Sequence, residues 1–292
     1  MFESFNALVN EPMSAHTTLK LGGPADYLVF PRNEREITAL FAEAGACNVP
    51  VTVIGHGSNL LVLDGGIRGL VISIGRNMRE ITRKGNVITA QAGAMLGSVA
   101  AEAAESGLTG LEFASGIPGT VGGGVVMNAG AYDGEIAGTV LRVKGVQPDG
   151  TAVQLTREEM DFGYRHSAVA ERNFIVTEVE FSLREGDPAE IRAKMADLNA
   201  RRAEKQPLDV PSAGSTFKRP QGYYAAALID QCGLKGYSVG GARVSMKHAG
   251  FLVNTGTSSS DYLELMRKVQ QIVEERAGVK LEPEIRILGE PA

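Results

Sequence analysis

Cysteine is nearly absent from this chain. Cys47 and Cys232 are the only two in 292 residues, far apart and in helix-like contexts. That excludes a disulfide-stapled scaffold and predicts two buried thiols in a reducing compartment. No Cys/His cluster has metal-ligand spacing, so no metal is expected. No apolar run reaches the roughly 18 residues that a spanning helix needs, so no membrane insertion is expected. There is no dense Lys/Arg tract and the net charge is −5. This argues against a nucleic-acid partner and leaves room for a local basic pocket that takes a phosphorylated small molecule. Met1 to Asn6 lack the basic-then-apolar order of a signal peptide, so a cytoplasmic protein is expected. There is no Gly-x-Ser-x-Gly elbow, so a hydrolase serine is not expected. No fixed-period repeat or low-complexity segment appears. What remains is an ordinary globular composition, 43% apolar, in a chain long enough for two or three domains.

Two glycine-rich elements stand out. In the first, a β-branched strand at Val51–Ile54 enters Gly55-His-Gly-Ser-Asn59, and a second strand leaves from Leu60. Glycine permits φ > 0 and close approach of a ligand, and successive N–H groups in such a turn form an anion cradle. The third glycine of a dinucleotide fingerprint is missing. Taken alone, the element reads equally as a hairpin turn. The second element runs from Ala114 to Tyr132, with glycine at 116, 119, 122, 123, 124 and 130. Ile117, Val121, Val125, Val126 and Met127 make it too apolar for a linker. Pro118 suits a first helical turn, so a helix is expected to begin there and aim its free N–H groups toward Ala114–Gly116, favouring a phosphate. Gly122 to Gly124 are costly in a helix, so either a backbone or a flat cofactor must approach that face.

The rest of the chain alternates strands and helices without forming a doubly wound nucleotide domain. Tyr27–Phe30, Val51–Ile54, Leu60–Leu63 and Leu70–Ile74 read as strands. Asn33 with Glu36 forms a capping box for a helix on which Ile37, Leu40, Phe41 and Ala44 repeat at helical spacing. Asn86–Gln91 is a strand and Met95–Glu105 an Ala-rich helix. Strands at Val140–Gln147 and Ala152–Leu155 flank the turn Pro148-Asp-Gly150. A further capping box opens a helix at Thr156–Asp161, and Phe174–Leu183 is a long strand. From Pro188 to about Gln206 runs a polar helix, read as a solvated connector. In the last part, Tyr223–Cys232 is a helix, Phe251–Val253 a strand, and Tyr262, Leu265, Met266, Val269, Ile272 and Val273 form the core face of a long helix. Leu281–Leu288 is the final strand.

These elements, with His16 to Ala25, Tyr164-Arg-His-Ser167, Gly214-Ser-Thr-Phe-Lys-Arg-Pro220, Lys247 to Asn254 and Leu281 to Gly289, resemble the UDP-N-acetylenolpyruvoylglucosamine reductases over nearly the whole chain. The likeness is to the shorter type of that family, which lacks a substrate-covering insertion and shares its FAD-binding scaffold with vanillyl-alcohol oxidase-like flavoenzymes. The resemblance implies an α+β fold. A two-part FAD-binding domain, a small α/β unit (1–75) plus a larger α+β unit (76–187), leads through a connecting helix (188–210) to a C-terminal α+β substrate domain (211–292). It implies non-covalent FAD, NADPH as co-substrate and a UDP-sugar substrate, in a protein for which a monomer is favoured.

The family's reaction reduces an enolpyruvyl ether to a lactyl ether in peptidoglycan biosynthesis. Hydride goes from flavin to the β-carbon, and a proton to the α-carbon. The site therefore needs a cation for the carboxylate, a hydrogen-bonding group for the enolate and a proton donor. The resemblance assigns these to Arg165, Glu284 and Ser215. It assigns FAD contacts to Ile54, Gly55, His56, Gly57, Ser58, Asn59, Leu60, Ser115, Gly116, Ile117, Pro118, Gly119, Gly122 and Gly123, and substrate contacts to Tyr164, Lys218 and Arg219. His56 departs from a position that is often glycine in the family. By themselves, Arg165 and Glu284 read equally as structural ion-pair partners, Ser215 as a turn residue, and Lys218 with Arg219 as a basic loop. Two other classes compete. A flavin-dependent alcohol oxidase on the same scaffold often tethers its flavin covalently, and His56 would offer a tether. A non-catalytic nucleotide-binding module would not need Arg165, Ser215 and Glu284 together.

Overall fold

A computed structural model of the protein describes residues 1–132 and 134–292. The chain forms two compact units, each discontinuous in sequence. The first comprises Met1–Leu8, Tyr27–His56 and Gly69–Arg202, and the second Val9–Asp26, Gly57–Arg68 and Ala203–Ala292. The expected division at 75, 187 and 210 is continuous along the chain, whereas each of these units is assembled from three separate segments.

In the first unit, helix α1 (Glu34–Ala46) starts where its sequence demands. The Asn33 side chain accepts from the Glu36 N–H, and the Glu36 carboxylate reaches back to the Arg32 N–H at 2.8 Å. One orphan donor of the helix, the Glu36 N–H, is thereby satisfied, together with an N–H just ahead of the cap. Its apolar face buries Ile37, Leu40 and Ala44. Strand Val51–Ile54 pairs in parallel with residues 70–73, and Leu70, Val71, Ile72 and Ser73 are all buried. A near-continuous apolar run is what a parallel strand covered on both faces requires. A five-stranded antiparallel sheet follows, in the order Ala152–Thr156, Val140–Val146, Ile175–Ser182, Val87–Gln91, Ile81–Lys84. Its first hairpin turns at Gly150, where φ is +88° and the Asp149 carboxylate accepts from the Thr151 N–H. Helix α2 (Leu96–Glu105) buries Leu96, Val99 and three alanines. Helix α3 (Val121–Val126) buries Val121 and Val125. Helix α4 (Pro188–Lys205) buries only Ile191 and Leu198. The core joins these helices to Val143, Val179 and Phe181 of the sheet.

The second unit is built on a different core. Strand Leu60–Val62 pairs in parallel with Arg286–Leu288. A three-stranded antiparallel sheet holds Ser238–Val239, Ala242–Val244 and Leu252–Asn254. Helix α6 (Ser259–Ala277) packs against it, burying Tyr262, Leu265, Met266, Val269 and Val273, and helix α5 (Ala225–Gln231) packs against α6. Each such side chain contributes at most about 1.5–3 kcal/mol by leaving water. The Asp64 carboxylate holds the start of α6, accepting from the Ser259 N–H at 2.8 Å and the Ser258 hydroxyl at 2.9 Å. Gly278, at φ +68°, ends it.

Several expectations need correction. The two strands flanking Gly55–Asn59 do not pair with each other, so this turn is not a hairpin. The helix expected from Pro118 begins at Val121, because Thr120 takes the capping position. The box at Thr156 and Glu159 forms, with both reciprocal bonds, but Asp161 at φ +45° stops the chain after one turn. The last strand shrinks to Arg286–Leu288. Pro283 has no N–H to give a ladder and makes only an isolated bridge to Phe217. Cys47 is exposed at the end of α1, while Cys232 is buried, and both are free thiols. Among the described residues, no helix is long and apolar enough to cross a membrane, and no group of three His, Cys, Asp or Glu is placed to hold a metal.

Candidate functional site

In the first unit, Gly55 lies against the cap of α3. A Cβ there would sit 2.6 Å from Thr120 Oγ1. Thr120 in turn accepts from the Gly123 N–H at 3.3 Å. The first N–H groups of α3 are already used. Val121 donates to Ala94 O at 2.8 Å, Gly122 to Ala92 O at 2.9 Å, and Gly124 to Thr120 O at 2.8 Å. The free helix end expected of this motif is therefore occupied by the chain's own 92–94 turn. Gly122 suits that packing, since a Cβ there would lie a tight 3.0 Å from the Ala92 Cβ. Only Thr120 Oγ1, at 3.4 Å, stands near a Cβ built on Gly123, so that position stays open.

The Ser115–Gly119 stretch is held from two sides. The Ser115 hydroxyl lies 2.9 Å from Glu112 O and 3.3 Å from Asn199 Oδ1 on α4. A Cβ on Gly116 would meet Asn199 at 2.6 Å and Arg202 Nε at 2.8 Å. Arg201 and Arg202 both stack on the Tyr132 ring, at 4.9 and 5.8 Å, and burial draws the Arg202 pKa below the usual arginine range. Glu112 is buried. Burial pushes its carboxyl up, but hydrogen bonds from Thr109 and the Gly110 N–H, with Lys194 at 3.7 Å, outweigh this and hold it below the ordinary range. Ile117 packs on the core edge, Pro118 is exposed, and the Gly119 carbonyl accepts from the Leu96 N–H at 2.9 Å. Asn199 and Arg202 had no signal in the sequence, where α4 reads as a solvated connector.

Arg165 sits at the tip of a tight turn. Gly163 and His166 exchange both backbone bonds at 3.2 Å, Arg165 has φ +55°, and its guanidinium lies 4.9 Å over the exposed Tyr164 ring. Two buried side chains tie this turn to the end of α3. Asn128 Nδ2 donates to Gly163 O at 3.0 Å, and the Ser167 hydroxyl donates to Val126 O at 3.0 Å. The glycine-rich segment thus also carries the Arg165 turn.

In the second unit, Gly57 has φ +72°, and a Cβ there would strike His16 O at 2.2 Å. Its carbonyl accepts from the Thr18 N–H at 3.2 Å. Among the described residues, no hydrogen bond within the chain takes the N–H groups of Gly57, Ser58 or Asn59. Three successive donors left open in a turn fit an anion, which α3's start does not. His56, just before them, is exposed. Ile54 and Leu60 are buried at either end of the turn.

Asn59 also reaches the candidate catalytic segment. Its Nδ2 donates to Glu284 O at 3.2 Å, and its carbonyl accepts from the Arg286 N–H at 3.0 Å. The Glu284 N–H donates to Thr216 O at 2.8 Å, and the Lys218 N–H to Glu282 O at 2.8 Å. Ser215 and Glu284, both half-buried, therefore stand on facing segments in fixed register. Gly214, at φ +78°, makes the turn into Ser215. Lys218 Nζ pairs with Glu282 at 3.7 Å, and Arg219 stacks at 4.5 Å on Tyr224. Just before Lys218, Phe217 makes a single isolated bridge to Pro283.

Comparison with known proteins bears on both units. Residues 206–288 match the family of UDP-N-acetylenolpyruvoylglucosamine reductase, C-terminal domain, and residues 25–156 match an FAD binding domain family. A UDP-N-acetylenolpyruvoylglucosamine reductase of Agathobacter rectalis is 54% identical over 97% of this chain and 94% of its own length. That of Levilactobacillus brevis is 50% identical over 99% of this chain and 95% of its own. The crystal structure of UDP-N-acetylenolpyruvylglucosamine reductase from Thermus caldophilus superposes with a TM-score of 0.83 at 38% identity, covering 95% of this chain and 97% of that one.

Proposed function

The chain belongs to the UDP-N-acetylenolpyruvoylglucosamine reductase family, and from that membership we infer that it is an FAD-dependent, NADPH-consuming oxidoreductase of peptidoglycan synthesis. Its substrate is the enolpyruvyl ether of UDP-N-acetylglucosamine, and its product UDP-N-acetylmuramate. The reading includes a monomer working in the cytoplasm, where NADPH and UDP-sugars are both found.

Bound FAD supplies the hydride, drawn from NADPH, that the enolpyruvyl β-carbon receives. The open N–H groups of Gly57, Ser58 and Asn59 are the donors we assign to its pyrophosphate. Ser115–Gly119 and the open face at Gly123 lie along the cofactor in this reading. Arg165 binds the substrate carboxylate with the planar fork of its guanidinium. Glu284, in the role we assign it, donates a hydrogen bond from its carboxylic acid as charge builds on the enolate. Ser215 gives its proton to the α-carbon, a strongly basic acceptor, and is reprotonated from solvent. Tyr164, Lys218 and Arg219 contact the UDP-sugar. The observation that carries the reading within the fold is the register of Ser215 against Glu284, set by the bond from the Glu284 N–H to Thr216 O.

The test is optical. Purified protein should be yellow, bleach with NADPH, and recover its colour on adding the enolpyruvyl UDP-sugar. A colourless protein that FAD cannot reconstitute, or a bleached one that the substrate does not reoxidise, would overturn the reading.

A further inference from the structure

Tyr262 is the largest fully buried side chain of the protein, and sequence pattern alone counts it as core. Its hydroxyl is not idle there. It donates to Leu252 O at 3.1 Å and lies 3.3 Å from Thr216 Oγ1, which accepts from the Leu252 N–H at 3.2 Å. Tyrosine has one proton to give, and Leu252 O takes it, so Thr216 must be the donor in the remaining contact. The result is a closed ring. Leu252 N–H gives to Thr216, Thr216 to Tyr262, and Tyr262 back to the Leu252 carbonyl. Every polar atom in it is satisfied and every proton direction is fixed. Burial pushes the Tyr262 phenol well above the ordinary tyrosine range, against the opposing effect of the Thr216 bond, so the ring does not titrate at working pH.

This ring seizes the residue beside Ser215. Thr216 is fully buried, and its N–H is also tied, to Gly250 O at 2.9 Å. Its carbonyl holds the Glu284 N–H, and the Glu284 carbonyl is held by Asn59. Tyr262 thus holds Thr216 directly, and the Thr216 backbone holds the facing segment at Glu284.

We propose that Tyr262 is a positioning residue, fixing through the Thr216 hydroxyl the segments that present Ser215 and Glu284 to the enolpyruvyl group. The inference rests on the roles assigned above to Ser215 and Glu284. Without the ring, Thr216 is free to change rotamer and the 214–216 segment to shift. A displacement of about 1 Å at a reacting group is enough for a loss of order 10²-fold.

The experiment compares Tyr262→Phe, Thr216→Val, Thr216→Ser and Ser215→Ala as FAD-loaded enzymes, following both half-reactions by stopped flow. Tyr262→Phe and Thr216→Val should be reduced by NADPH at the wild-type rate and reoxidised by the enolpyruvyl UDP-sugar about 10–100-fold more slowly. Thr216→Ser keeps the hydroxyl and should restore reoxidation to within about twofold. A purely structural loss would slow both half-reactions together or release FAD, and either result overturns the proposal. So does wild-type reoxidation in Tyr262→Phe while Ser215→Ala is impaired, an outcome that leaves the serine's role standing. Wild-type reoxidation in Ser215→Ala removes that role and the proposal with it.

Discussion

Gly57→Ala offers a test with an internal control. Gly57 and Gly85 both have left-handed backbone, φ +72° and +61°. Around Gly85 nothing lies within 4 Å of an added Cβ, whereas at Gly57 the methyl would meet His16 O at 2.2 Å and Thr17 Cα at 3.0 Å. Gly85→Ala should therefore cost only the left-handed penalty, about 1–2 kcal/mol, partly offset by a less flexible unfolded chain. Gly57→Ala carries the same penalty. It also forces a backbone shift worth about 1–3 kcal/mol and weakens the Thr18-to-Gly57 hydrogen bond, worth about 1 kcal/mol. The sum is about 3–6 kcal/mol, or a melting temperature lower by roughly 10 °C. Thermal denaturation of the FAD-loaded and FAD-stripped forms measures it. The packing contact exists without the cofactor, so the gap between the two variants should persist in the stripped form. If stripped Gly57→Ala melts within about 2 °C of stripped Gly85→Ala, the glycine serves the ligand alone and the packing argument fails.

Glu112 has its carboxyl held below the ordinary range, so it stabilises the fold above the unfolded pKa of about 4.3 and stops doing so as pH falls through the lower folded value. Urea midpoints of Glu112→Gln across this acid range should change less steeply with pH than those of the wild type. An unchanged slope would show that the carboxylate is not stabilised in the fold. Arg165→Lys keeps charge but loses one arm of the fork. If that arm is worth about 1.5–3 kcal/mol, reoxidation by the enolpyruvyl substrate should fall about 10–100-fold, and a wild-type rate would remove Arg165 from the carboxylate.

The fold was most legible where local chemistry decides it. Asn33 with Glu36 marked α1, the 148–150 turn marked its hairpin, and the Tyr262–Val273 spacing marked α6. It was least legible where distant chain decides. Nothing near Leu60 states that its partner is Arg286, more than two hundred residues on. Two strands separated by a short glycine turn look like a hairpin until the sheets are seen to differ. The helix expected at Pro118 failed for a related reason. Proline tolerates a first turn, but the N–H groups of residues 121 and 122 had partners waiting in the 92–94 turn, and Thr120 could cap only a helix that began after it.

The site shows the same division, with one further lesson. Tyr164-Arg-His-Ser167 and the glycine-rich segment were readable as separate motifs, and their connection was not. Asn128 and Ser167 make that connection through backbone carbonyls, which leave no residue-type signature at the accepting end. The connection also explains the conformation of Arg165. A non-glycine residue in the left-handed region costs of order 1–3 kcal/mol and persists only if its surroundings impose it. Here the paired Gly163–His166 bonds close the turn, and the Asn128 and Ser167 bonds fix both of its arms to the end of α3. Glycine at 165 would relieve the strain but could hold no carboxylate. An arginine kept where the backbone prefers glycine fits the role proposed above for its side chain on the substrate carboxylate.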